Sequence, residues 1–232
     1  MKQIETDALL VRSIAYGESD IIATLLTRAL GKVSVMVRGG RKSTKRVGGA
    51  MEPFHTISVH LEDRGGELST LREARIVRIR SGIAGSLAAL DVAGSALRWA
   101  RHLCPPRTPE PQAYETLIDL LDSLDLQQGD PRADLARAAL RLLTDVGYAL
   151  DLERCVTCGK ACPSGRPAFV DAARGGIVCS SCGGARQVMQ AELRAIARAA
   201  QKGGKVPMTS DQATAILGVV ELAMAAHTGL ET

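Results

Sequence analysis

Two short segments of the chain place cysteines at metal-ligand spacing, CVTCGK at 155–160 and CSSCGG at 179–184. In each, two thiolates three residues apart can grip one ion from a tight turn, and the glycine that follows permits the positive φ such a turn often needs. Two turns facing each other give tetrahedral coordination by four sulfurs, which suits zinc. The expectation is one structural zinc per chain on Cys155, Cys158, Cys179 and Cys182. A site with four protein ligands leaves no position for a reactive water, so it holds the chain together and does no chemistry. A redox reading of Cys-x-x-Cys wants a βαβ setting, whereas these pairs lie between helical patterns. Cys162 falls outside the paired symmetry, as a substitute ligand or an inert thiol. Cys104, at a helix end beside two prolines, reads as packed.

A second constellation is electrostatic. The stretch RGGRKSTKR puts five cations, Arg38, Arg41, Lys42, Lys45 and Arg46, into nine residues without an acid. A charge run is ordinarily a solvated face. This one repels itself until an anion arrives, and its glycines would let backbone N–H groups approach a phosphate. Arg12, Lys32, Arg72, Arg75 and Arg78 would extend the positive surface. Aromatic platforms are scarce here, with only Tyr16 and Phe54 nearby, so the grip on a polyanion should come from charge and tolerate any base sequence. Five neutralised phosphates on a single strand would give a log–log salt slope of roughly −3.5.

Other chemical signals are weaker. His60–Glu62 resembles half of a zinc deaminase signature, but the following cysteines lack its proline and already form a complete ligand set. RGGRKST fails as a phosphate-binding P-loop, because Arg41 precedes Lys42 and the glycine spacing is wrong. No serine–histidine–aspartate or paired-carboxylate arrangement can be picked out. The chain is expected not to be an enzyme.

The elements that must carry these residues are legible from periodicity. Segments 7–14, 19–26, 32–38, 54–61 and 68–79 alternate or run apolar between turn residues, as strands do. Val33, Val35 and Val37 share one face of the third, and Ile57, Val59 and Leu61 one face of the fourth. Five short strands with a basic excess point to a five-stranded oligonucleotide-binding (OB-fold) barrel. One feature fits poorly, since the 39–53 connection leaves room for about one helical turn, where many such barrels carry a helix. From about residue 85 the period becomes three or four. Leu87, Leu90 and Leu97 start one helix, Tyr114 to Leu121 mark a second, and Asp130-Pro131 caps a third. After an interruption at 151–187, helical pattern resumes at 190–201 and 210–227. The fold class expected is α+β: an OB-fold domain at 1–82, then an all-helical domain at 83–232 carrying a zinc-ribbon-like insert at about 151–187.

Charge follows the same division. The chain of 232 residues has a net charge of +4; residues 1–82 hold 14 Lys+Arg against 9 Asp+Glu, and the remainder 15 against 16. The basic excess is confined to the first third, which a local anionic partner would call for. No stretch approaches the ~20 apolar residues that span a bilayer, and acids interrupt the N-terminal apolar run, unlike a signal peptide. Six cysteines in such a chain fit a reducing compartment, and a cytoplasmic location is expected.

In combination these residues resemble the RecO family of bacterial DNA repair and recombination mediators. The resemblance rests on YGESDIIATLLTRALGKVSVMVRGGRK (16–42), on MEPFHTISVHL (51–61), and on the later cysteine pairs, in family order along nearly the whole chain. Arg38 stands where lysine would be expected before the loop glycine, and aromatics are sparse. The resemblance implies a protein that binds single- and double-stranded DNA and anneals complementary strands. It also implies action with RecR to load RecA onto DNA coated by single-strand-binding protein, whose acidic C-terminal tail RecO proteins contact. DNA contacts carry over most directly to Arg38, Arg41 and Lys42, and metal ligation to the four paired cysteines. The tail contact would fall in the helical domain, with Arg137 and Arg141 as candidates because their i, i+4 spacing shares a helix face. Two readings compete: a zinc-dependent or thiol nucleotide-modifying enzyme using Cys162 or His60, and a zinc-ribbon scaffold that binds RNA.

Overall fold

A computed structural model describes residues 1–41, 47, 49–184 and 187–229. They form two compact units, Met1–Leu126 and Gln127–Thr232.

The first unit begins with five strands, β1 (Lys2–Tyr16), β2 (Asp20–Thr27), β3 (Gly31–Val37), β4 (Thr56–Asp63) and β5 (Leu68–Arg78). Their pairings run in the order β1-β2-β3-β5-β4 and close where β1 meets β4. Only β3 and β5 pair in parallel. The alternation expected of β3 is present, with Val33, Val35 and Val37 buried and Lys32, Ser34 and Met36 half-buried on the opposite face. Ala8, Leu10, Ala23, Leu25, Ile57, Val59, Leu61 and Leu71 complete the interior. Val47 and Ala50, from the β3–β4 connection, are buried in the same core. The described part of that connection forms turns rather than a helix.

β1 is much longer than its apolar stretch. Residues 2–9 pair with β4 and residues 8–16 with β2, and the register shifts between Leu10 and Arg12. An extra residue bends the strand and changes which side chains face out. Arg12 emerges exposed just beyond this bulge.

Three helices belong to the same unit: α1 (Ser81–Ala84), α2 (Leu87–Leu103) and α3 (Pro111–Leu126). Ser86 caps α2 by accepting the Ala89 N–H, an arrangement worth about 1 kcal/mol. Arg80 is wholly buried and ties sheet to helix: its Nε lies 2.6 Å from Asp122 of α3, and its Nη1 donates to the Phe54 carbonyl and to Thr56 Oγ1. The α2–α3 connection lies along the start of β3, where Arg107 N–H donates to the Lys32 carbonyl at 2.8 Å. This contact requires a glycine at position 31, with φ +68°; a Cβ there would sit 1.8 Å from the Thr108 carbonyl oxygen.

The second unit comprises α4 (Pro131–Asp145), a small sheet of β6 (Ala168–Asp171), β7 (Gly176–Val178) and β8 (Gln187–Met189), then α5 (Ala191–Gln201) and α6 (Ser210–Thr228). α4 packs against α5 and α6. Asp130 caps α4 through the Arg132 N–H, and Thr209 with Gln212 forms a capping box on α6. The β6–β7 hairpin spans the ARGG turn, as its sequence indicates, and β8 adds to the other edge of β6. Three residues carry too little pattern to announce β8.

Candidate nucleic-acid interface and metal centre

The two cysteine turns meet. The sulfurs of Cys155, Cys158, Cys179 and Cys182 all lie within 4.8 Å of one another, and Cys158 and Cys179 are 3.7 Å apart. Tetrahedral coordination with metal–sulfur bonds near 2.3 Å separates ligand sulfurs by about 3.8 Å, so this donor set fits a metal ion. The turns are built as the sequence implies: Gly159 donates to the Cys155 carbonyl and Gly183 to the Cys179 carbonyl, with φ of +73° and +63°. The backbone favours thiolate as well. The Cys179 N–H donates to Cys155 Sγ at 3.3 Å. With further N–H donors from its own turn, it lowers the Cys155 thiol to about 6. The Cys182 N–H does the same for Cys179, while sharing protons with Cys158 pushes Cys182 up. A metal ion takes cysteine as thiolate, so binding here would release the protons that remain.

Cys162 is not in the cluster; its sulfur points to the Pro163 carbonyl, and its own carbonyl accepts from the buried Arg194. Cys104 is fully buried. His60 is exposed on the outer face of β4, with Nε2 3.2 Å from Glu5.

Of the basic loop, Arg38 and Arg41 lie within the described residues, and Lys42, Lys45 and Arg46 lie outside them. The start of the loop is fastened to the β1–β2 turn that carries GESD. The Asp20 carboxylate accepts the Gly39 N–H at 2.7 Å, the Ser19 carbonyl accepts the Arg41 N–H at 3.0 Å, and the Glu18 carbonyl accepts the Arg41 guanidinium at 3.4 Å. Gly40 donates to the Val37 carbonyl. The glycine N–H groups, expected to be open to a phosphate, are therefore already engaged. Gly39 supplies a positive φ of +64°. Gly40 is held at close quarters, since a Cβ there would lie 2.9 Å from Val37 and 3.1 Å from Ile21. At its described start, the loop spends its backbone donors within the chain.

The remaining cations divide. Arg72 bonds the buried Glu62 (Nε to Oε2, 2.7 Å), Arg75 reaches Glu5 at 3.3 Å, and Arg78 meets Asp122 at 2.8 Å. Glu62 also receives Arg64 at 2.7 Å, and Arg64 with Arg72 holds its carboxyl below the ordinary range. These arginines serve the sheet more than a free positive surface. Lys32 donates its ammonium to the Arg101 carbonyl at 2.5 Å, at the C-terminal end of α2, a cation's favoured place on a helix. Arg12 has no hydrogen bond or ion pair among the described residues. Arg137 is taken up by Asp134 and by the Val206 carbonyl, and Arg141 lies one turn further along α4.

Sequence reasoning missed two features. Asp20 is a loop-building residue, and RWARH at 98–102 ends α2 with cations beside Arg12 and Lys32. The second was visible as basic residues in a last helical turn, but its nearness to the sheet required the fold.

Residues 1–80 match the family described as "Recombination protein O N terminal", and residues 85–232 the one described as "Recombination protein O C terminal". A Myxococcus xanthus protein named DNA repair protein RecO is 33% identical over 232 residues, covering 99% of this chain and 94% of its own. Proteins of the same name from Anaeromyxobacter sp. (strain K) and Geobacter sulfurreducens are 37% and 38% identical, over 78% and 79% of this chain and 71% and 74% of theirs. With both halves matched and one relative aligned almost end to end, the chain belongs to the recombination protein O family.

Proposed function

We propose that the protein is a non-catalytic mediator of recombination in DNA repair, acting in the cytoplasm at the nucleoid. Its closed five-stranded sheet acts as an oligonucleotide-binding domain over about residues 1–82, followed by a helical domain over 83–232. It binds single- and double-stranded DNA and anneals complementary strands, gripping backbone through Arg38, Arg41, Lys42, Lys45 and Arg46. The observation that carries this reading is the loop after β3: a run of cations without acids, fixed at its start to the β1–β2 turn, in a chain of this family.

The mechanism is physical. Two strands repel through their phosphates, and a cationic surface that screens them lowers the barrier to their meeting. Contacts to phosphate leave base edges free to pair. The four cysteines hold one zinc ion that keeps the insert folded, and the donor set, all sulfur and mutually close, supports that choice. Action with RecR, loading of RecA, and contact between Arg137 or Arg141 and the tail of single-strand-binding protein follow from the family alone. No helix among the described residues is long and apolar enough to cross a membrane.

The test is fluorescence annealing of complementary oligonucleotides across a salt series. Replacing the five loop cations by alanine should abolish annealing while the thermal melt is unchanged. Binding by the wild type should weaken with a slope of roughly −3.5 on log–log axes if each cation neutralises one single-strand phosphate. Annealing that survives the quintuple substitution would overturn the proposal.

A further inference from the structure

Among the described residues of the first unit, most arginines have a carboxylate partner: Arg28 with Glu115, Arg64 and Arg72 with Glu62, Arg75 with Glu5, Arg78 and Arg80 with Asp122, and Arg107 with Asp63. One group differs. Arg98 donates to the Ser95 hydroxyl at 2.9 Å, Arg101 to His102 Nε2 at 2.8 Å, and Lys32 to the Arg101 carbonyl. Among the described residues, none of these, nor Arg12, forms an ion pair with an acid. They converge on one place. His102 is held below its ordinary range by burial and then by Arg101, Lys32, Arg12 and Arg98. Burial, Arg12 and Arg98 act in the same direction on Arg101. A folded chain that neutralises most of its arginines elsewhere leaves mutual repulsion standing here, and a bound anion would relieve it.

The cluster is continuous with the loop. Lys32 opens β3 and Arg38 follows its last residue, a separation of about 20 Å along the strand. A path of that length suits a single-stranded site of several nucleotides, within the roughly 4–16 that such domains cover. Between the two ends, the outward rows of the sheet are Arg12, Thr24 and Ser34, then Ile14, Ile22 and Met36. Ile14 is 43% and Tyr16 54% exposed, offering apolar support to unpaired bases.

We propose that the C-terminal turn of α2, through Arg98 and Arg101 together with Arg12, is a second phosphate anchor, and that one nucleic-acid strand runs from it along the outer face of β1–β3 to Arg38 and Arg41. This rests on the nucleic-acid reading given above. A short acidic peptide would satisfy the cations but would leave the hydroxyl and apolar rows, and the second anchor at the far end, without use.

The experiment titrates fluorescein-labelled single-stranded oligothymidylates of graded length with the full chain across a salt series. It compares the wild type, Arg98→Ala/Arg101→Ala, Arg98→Lys/Arg101→Lys and the five-cation loop variant. The alanine pair should make the log–log slope shallower by about 1.4, two single-strand phosphates' worth, and the lysine pair should restore it. The wild type should gain affinity once the strand is long enough to reach both anchors, and the alanine pair should lose that gain. If the loop variant weakens binding but the alanine pair keeps wild-type slope and length dependence, the second anchor is refuted and the general reading stands. If neither variant changes binding, both fall. Loss of polyglutamate binding by the alanine pair, with oligonucleotide binding intact, would also refute the anchor and assign the cluster to an acidic peptide.

Discussion

Two sides of one sheet use arginine in opposite ways. Along β4 and β5, Arg72, Arg75 and Arg78 each find a carboxylate, and Asp63 and Asp122 carry the network to Arg107 and Arg80. Along β1–β3, Arg12 and Lys32, with Arg98 and Arg101 of α2, have none among the described residues. The net charge of the first third of the chain cannot distinguish these sides. What a cation can do for a partner depends on whether the fold has already neutralised it, and that is a property of tertiary pairing, not of composition.

The contrast can be broken from the paired side. Replacing Arg80 with methionine removes a fully buried guanidinium from Asp122 and leaves the Phe54 carbonyl and Thr56 hydroxyl without its donors. A loss of about 3 kcal/mol is expected, read by urea denaturation, with the salt slope of DNA binding unchanged. A milder probe is acid. Asp63 is drawn down to about 2, first by the Arg107 guanidinium and then by the Gly65 N–H, from an ordinary 3.8. A depressed carboxyl stabilises the fold above its unfolded value, and that contribution disappears as pH falls from about 3.8 through about 2. Asp63→Asn should therefore flatten the pH dependence of the thermal midpoint in that window, and an unchanged profile would show that Arg107 is not its main partner. The smallest effect belongs to Arg75, exposed and paired with Glu5. Arg75→Ala should shift stability by less than about 0.5 kcal/mol and leave the DNA salt slope alone. A shallower slope in that variant would erase the distinction between the two sides.

Much of this was legible beforehand, for identifiable reasons. The valines of β3 alternate because one face is buried, and the cysteine pairs are spaced by what one ion demands. Asp130 caps its helix through a contact two residues away, which a linear reading can reach. β1 was harder. KQIET at its start is polar-looking, and its strand character comes from pairing with β4, nearly sixty residues later. The partners of Arg72, Arg75 and Arg78 lie on other strands or on α3, so their neutralisation could not be read from the β5 segment alone. Arg98 and Arg101 look like an ordinary basic helix end until the fold sets them beside Lys32.

Gly31 illustrates how such a structure constrains its own history. It opens β3 directly after a tight turn, where drift is ordinarily cheap, yet the α2–α3 connection passes so near that even a methyl group has nowhere to go. Any larger residue must push Thr108 aside and loosen the seam that joins Lys32 to the last turn of α2. Under the proposed function, a change there would leave every proposed contact residue intact in the gene and still emerge as a defect in handling DNA.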